Sequence, residues 1–142
     1  MGKYKFLENV AIADSAFEAQ GDSLEDLFQT CAQATFEVMA DTSTIEPKLE
    51  EEVELAGENL EELLFDWLAE LVYLKDSKSV LFGKFEVKIE HKEGYRLTAS
   101  VWGEPADQKK HKVRVDVKAV TYHLLEVKQV NDKWTAKVVL DT

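Results

Sequence analysis

The chain has a single cysteine, Cys31, which rules out an intrachain disulfide and a cysteine-rich zinc site and fits an intracellular compartment. Its start, Met1-Gly2-Lys3-Tyr4-Lys5-Phe6-Leu7-Glu8, lacks the hydrophobic region of a secretory signal, and no later segment is apolar for long enough to cross a bilayer. A soluble cytoplasmic protein without membrane attachment is expected. Cations are scarce as well: seventeen Lys and Arg face twenty-eight Asp and Glu, a net charge of -11 at pH 7. Phosphate neutralisation needs clustered cations, so no direct nucleic-acid binding is expected. The excess acid serves solubility by default, and it also suits a divalent cation or a basic protein partner.

Enzyme signatures are missing too. There is no Gly-rich phosphate loop, no nucleophile elbow around any serine and no paired-His metal helix, so a non-enzyme is expected. Internal repeats and low-complexity tails are absent. Cys31 reads as a small core residue of a helix rather than a nucleophile. His91 and His111 fall in predicted turns, where exposure is expected rather than ligation.

With 142 residues and 45% hydrophobic content, the chain suits one compact domain spanning 1–142. Residues 3–7 and 12–19 read as extended. Gly21-Asp22-Ser23 then breaks the pattern and supplies a helix start, with Ser23 as N-cap and Glu25 and Asp26 in the first turn. Apolar spacing through Leu24, Leu27, Phe28, Cys31, Val38 and Met39 carries this helix to about residue 40, where Asp41-Thr42-Ser43 ends it. Residues 45–55 read as a partly exposed strand, placed at a sheet edge by Pro47. A second helix is predicted over 59–75, with Asn59 as N-cap and a wide apolar stripe through Leu60, Leu64, Trp67, Leu68 and Leu71. The second half reads as strands at 82–90, 95–104, 112–120, 122–129 and 134–140. Lys92-Glu93-Gly94 and Val130-Asn131-Asp132-Lys133 read as hairpin turns. The fold class expected is α+β: two layers, a largely antiparallel sheet with two main helices on one face.

Two features carry candidate chemistry. Alternation through Val113, Val115 and Val117 places one apolar face on a sheet, and the phase becomes ambiguous near Val120-Thr121, as if the strand bends there. Lys118, Tyr122 and His123 lie in this run, either as outer-face structural residues or as part of a site. The second feature is a pair of distant acids, Asp14 in an early strand and Asp141 just before the carboxyl terminus. They are either solvated aspartates or oxygen ligands converging on a hard cation, with the terminal carboxylate of Thr142 as a third donor.

Taken in order, several segments resemble the archease family, small protein partners of the tRNA-splicing RNA ligase RtcB. They are Ala13-Asp14; Gly21-Asp22-Ser23-Leu24-Glu25-Asp26-Leu27-Phe28; Met39-Ala40-Asp41-Thr42-Ser43; the run from Asn59 to Leu74; Val117-Lys118-Ala119-Val120-Thr121-Tyr122-His123; and the closing Trp134 and Leu140-Asp141. The resemblance covers nearly the whole chain. It implies a non-catalytic activator that helps the ligase attach GMP to its active-site histidine, promoting multiple turnover in tRNA splicing and RNA repair. It also implies an acidic divalent-cation site, for Ca2+ ahead of Mg2+ or Mn2+. By matching positions, Asp14 and Asp141 would bind the metal, Lys118 would be needed for activation, and His123 would be a neighbouring polar contact. One departure falls at Glu8-Asn9-Val10-Ala11-Ile12-Ala13-Asp14, where the family's His and Gly are missing and two residues are inserted, altering the amino-terminal side of the ligand set. Two alternatives remain: a chaperone-like modulator of a tRNA methyltransferase, and a small metal-dependent hydrolase in which Lys118 or His123 handles protons or charge.

Overall fold

Residues 2–7 and 14–142 are described by the computed structural model of the protein. All strand pairs are antiparallel, and they fall into two sheets rather than one. The first contains β1 (Lys3–Leu7), β2 (Asp14–Gly21), β8 (Lys133–Asp141) and β6 (Ala119–Val120) in that order, with β7 (Glu126–Val130) also paired to β8. The second has the order β3 (Leu49–Gly57), β5 (Tyr95–Pro105), β4 (Val80–His91). The α+β class therefore holds, with helices α1 (Leu24–Met39) and α2 (Leu60–Lys78) packed on both sheets.

Local chemistry starts both helices as expected. Ser23 caps α1 by accepting the Asp26 N–H at 3.0 Å, and Asn59 caps α2 by accepting the Glu62 N–H at 2.8 Å. Asp41 caps a 3-10 turn, Thr42–Thr44, after α1. α2 runs three residues beyond its predicted end, because Asp76-Ser77-Lys78 continue the helix and Ser79 stops it in a left-handed conformation (φ 53°). α1 is buried on most of its circumference, touching β2 and β8 on one side and β4 on the other. Phe17, Phe28, Phe36, Trp67 and Phe82 are fully buried between these layers. Each such side chain contributes about 1.5–3 kcal/mol of burial before entropy is subtracted.

Helix side chains also close strand edges. Gln29 and Glu25 of α1 accept the Val87 and Ile89 N–H groups of edge strand β4, and Glu61 of α2 accepts the Val127 N–H of β7. β3 is the opposite edge of its sheet, as Pro47 suggested, but starts at Leu49. Pro47 has no N–H to pair. Around it, residues 45–48 are tied to β5 through the Glu46 N–H to Glu104 and the Lys48 N–H to the Gly103 carbonyl.

Residues 112–118 do not form the predicted strand. Register places Ala119 opposite Asp141, where β8 ends, so the chain before Lys118 runs past the end of its partner strand. Val117 is buried, whereas Val113 and Val115 are 42% and 49% exposed. The next predicted strand begins late as well. The Thr121 N–H bonds to Val139, and pairing resumes at Glu126 opposite Lys137, so Tyr122, His123, Leu124 and Leu125 are looped out as a turn closed by the Leu125 N–H on the Tyr122 carbonyl at 3.2 Å. The bend read near Val120-Thr121 is this turn.

Candidate functional site

Antiparallel pairing of β2 with β8 sets Asp14 directly opposite Asp141 at one end of the first sheet. Cross-strand partners share a face, with Cβ atoms about 4.5–5.5 Å apart. Two carboxylates from opposite ends of the sequence thus converge, on the face that alternates with core residues Phe17, Val138 and Leu140. Both are half-buried, and neither has a hydrogen-bond or ion-pair partner among the described residues. Like charges held together this way favour a cation between them, and an all-oxygen donor set selects a hard one. The residues present therefore fit a divalent cation. No group of three His, Cys, Asp or Glu side chains is assembled for a metal among the described residues, and Asp141 is followed by half-buried Thr142. The altered segment from Glu8 to Ala13 lies outside the described residues.

Lys118 reaches this end of the sheet through its main chain. Its N–H donates to the Asp141 carbonyl at 2.8 Å, and its side chain is exposed. Asp14, Asp141 and Lys118 are thus brought together, with β8 as their common neighbour. His123 is not brought in. It sits exposed in the looped-out turn and makes no hydrogen bond or ion pair with the other three among the described residues. Tyr122 of the same turn is 60% exposed, yet stacks on Phe65 of α2 with ring centroids 3.9 Å apart.

The segment before Lys118 is fastened at two further points. The Arg114 N–H donates to the Met39 carbonyl at 2.8 Å, and its guanidinium holds the Glu37 carbonyl and carboxylate at 2.6 and 3.0 Å. Lys75 of α2, only 7% exposed, donates to Asp116 at 2.5 Å and to the Val117 carbonyl at 3.1 Å, and pairs with Asp76 at 2.8 Å. Sequence reading passed over Lys75. The signal was there: it continues the buried stripe of Leu64, Leu68 and Leu71, and a cation in phase with such a stripe needs partners.

His111 corrects an expectation of exposure, for it is fully buried. The short helix α3 (Gln108–His111), capped by the Asp107 carboxylate on the Lys109 and Lys110 N–H groups, turns the ring inward. Nδ1 accepts the Asp107 N–H at 2.9 Å, which leaves the ring proton on Nε2. Nε2 stands 3.1 Å from Glu104 Oε2, in ion-pair range but off the line of a hydrogen bond. His91 is exposed and stacks on Tyr95. Cys31 is buried in the core, as expected, and burial pushes its thiol pKa up, away from the reactive thiolate. No helix among the described residues is long and apolar enough to cross a membrane.

The archease protein family model matches residues 4–142. Protein archease of Pyrococcus furiosus is 42% identical over 131 residues, covering 91% of this chain and 92% of its own length. That of Methanothermobacter thermautotrophicus is 43% identical over 130 residues, with 91% and 92% covered. The solution structure of protein 1598 from Methanobacterium thermoautotrophicum superposes with a TM-score of 0.86 at 41% identity, covering 98% of both chains. A crystal structure of an archease from Thermotoga maritima, described as a possible chaperone, gives 0.63 at 25% identity and 93% of both. With the family model spanning nearly every residue and relatives above 40% identity along most of the chain, this protein belongs to the archease family.

Proposed function

We propose that the protein is a non-catalytic activator of the RNA ligase RtcB in tRNA splicing and RNA repair, docking on the ligase and promoting its guanylylation and multiple turnover. The observation that carries this reading is the pairing of Asp14 with Asp141, unpartnered among the described residues, beside a main chain that presents Lys118. Asp14 and Asp141 would hold a divalent cation, Ca2+ ahead of Mg2+ or Mn2+, whose charge offsets the two carboxylates and attracts an oxygen of the partner. Lys118 supplies a compact ammonium for a partner carboxylate or phosphate. His123, outside this group, is assigned a contact at the rim of the docking surface.

A ligation assay with limiting RtcB tests this. Wild type is expected to raise turnover, and both Lys118→Ala and Asp141→Ala to lower that stimulation by about a hundredfold, the scale of losing a positioned charge. Equal turnover with and without the protein would sink the reading. A chaperone-like role on a client such as a tRNA methyltransferase is a second reading, supported by the description of the Thermotoga protein as a possible chaperone. Capture from native extract separates the two: the ligase among the bound proteins favours the first, a methyltransferase without the ligase the second.

A further inference from the structure

The Val117 carbonyl and the Lys118 N–H belong to one peptide group, and that group is held at both ends. Its oxygen accepts from Lys75 Nζ of α2 at 3.1 Å, and its N–H donates to the Asp141 carbonyl of β8 at 2.8 Å. A trans peptide points these two atoms in opposite directions, so bonds at both ends fix the tilt of the plane and with it the direction in which the Lys118 side chain leaves the main chain. We propose that Lys75 is a positioning residue for Lys118, acting through the peptide group that joins Val117 to Lys118. This rests on the reading of Lys118 as the activating residue.

The surroundings of Lys75 fit this role better than that of a surface ion pair. Its ammonium has three donor positions and three acceptors: Asp116 at 2.5 Å, Asp76 at 2.8 Å and the Val117 carbonyl at 3.1 Å. A buried ammonium is stable only when satisfied in this way. Two of the three partners lie on the segment leading into Lys118, more than forty residues away in sequence, so the lysine ties α2 to that segment rather than serving its own helix terminus. This segment has no strand ladder of its own. Between the Arg114 anchor and the Lys118 N–H bond to Asp141, Lys75 ties it to α2. A long-range tie of this kind sets geometry at a residue it does not touch, where a displacement of about 1 Å is enough to cost a hundredfold in rate.

The test uses full-length protein in two arms. Amide hydrogen exchange reads the clamp directly: Lys75→Met is expected to speed exchange at the Lys118 amide by roughly tenfold or more while leaving α1 and the β4–β5 ladder unchanged. Lys75→Arg, which keeps charge and donors, is expected to restore protection. Exposed Asp116→Asn loosens the clamp without emptying a buried site and is expected to show the same pattern at smaller amplitude, which keeps the test open if Lys75→Met folds poorly. Ligation with limiting RtcB is the second arm. Lys75→Met is expected to lower stimulation by about tenfold, Lys75→Arg to recover most of it, and Lys75→Met/Lys118→Ala to be no worse than Lys118→Ala alone. Unchanged exchange at Lys118, or losses that multiply in the double variant, would overturn the inference. Should wild type fail to stimulate the ligase, the activator reading falls, and the exchange arm alone decides whether Lys75 holds this peptide.

Discussion

Buried Glu104 keeps its charge because the Glu46 N–H and the Lys110 ammonium donate to it, with the Lys48 ammonium and the His111 ring close by. The Glu46 N–H lies at 2.6 Å, Lys110 Nζ at 2.9 Å, His111 Nε2 at 3.1 Å and Lys48 Nζ at 3.6 Å. The Glu46 N–H, with Lys110 and His111 behind it, holds the carboxyl pKa at about 2 against an ordinary 4.5, despite the opposing effect of burial. Because the folded value is depressed, the stabilisation is full above about pH 4.5 and disappears as pH falls through about 2. Glu104→Gln is therefore expected to cost about 2 kcal/mol near neutral pH, the scale of hydrogen bonds to a charged group. Thermal melts of both proteins across pH would show the gap between their Tm values narrowing below about pH 4.5; a gap constant down to pH 2 would rule out this cause. The same residue-level reasoning exposes what sequence reading missed. Glu104 and His111 meet through α3, a four-residue helix that the reading of 108–111 as a turn did not foresee, and the Glu46 N–H reaches the same carboxylate from a segment 58 residues away.

Elements whose periodicity and caps agreed were legible: β1, both long helices at their N-caps, the 3-10 turn after Asp41, and the hairpins at Glu93-Gly94 and Asn131-Asp132 all lie where turn chemistry and spacing put them. Misreadings arose where pairing depends on what is across the sheet. Val113, Val115 and Val117 alternate like a strand, but β8 ends at Asp141, and alternation alone carries no information about the length of a partner. The opposition of Asp14 and Asp141 is likewise a register fact, and residues alone left it open. Between β4 and β5, register slips by one residue at Phe82 and Lys84, leaving Gly83 as the extra residue of a bulge across from Gly103. A Cβ at Gly103 would stand 1.9 Å from the Leu81 carbonyl oxygen, a backbone atom that cannot move aside alone. Gly103→Ala is expected to cost about 3 kcal/mol or more, and to raise amide exchange across β4 and β5 before it affects β2 and β8. An unchanged Tm would show that the bulge absorbs the added carbon.

Net charge and its placement govern how the whole molecule meets a partner. The total is -11, and the free edge strand β3 carries exposed Glu50, Glu52 and Glu54, while β1 presents exposed Lys3 and Lys5. Exposed like charges on one edge discourage pairing of that edge with the same edge of another copy. The proposed docking end contains two features with opposite responses to salt. Asp14 and Asp141 belong to the acidic field, which ions screen within about 10 Å at 0.1 M. Exposed Tyr122 and Leu124 on the adjoining turn offer apolar contact, which salt does not weaken. If attraction between this acidic field and a basic surface on the ligase dominates encounter, raising NaCl from about 50 to about 300 mM should weaken the measured Kd by about tenfold, with most of the change in the association rate. Saturating divalent cation must be kept in every sample, so that salt screens the field rather than displacing the cation. An affinity that holds or tightens across the series would place the binding energy in the Tyr122–Leu124 turn instead, and Tyr122→Ala would then cost more than Asp141→Ala.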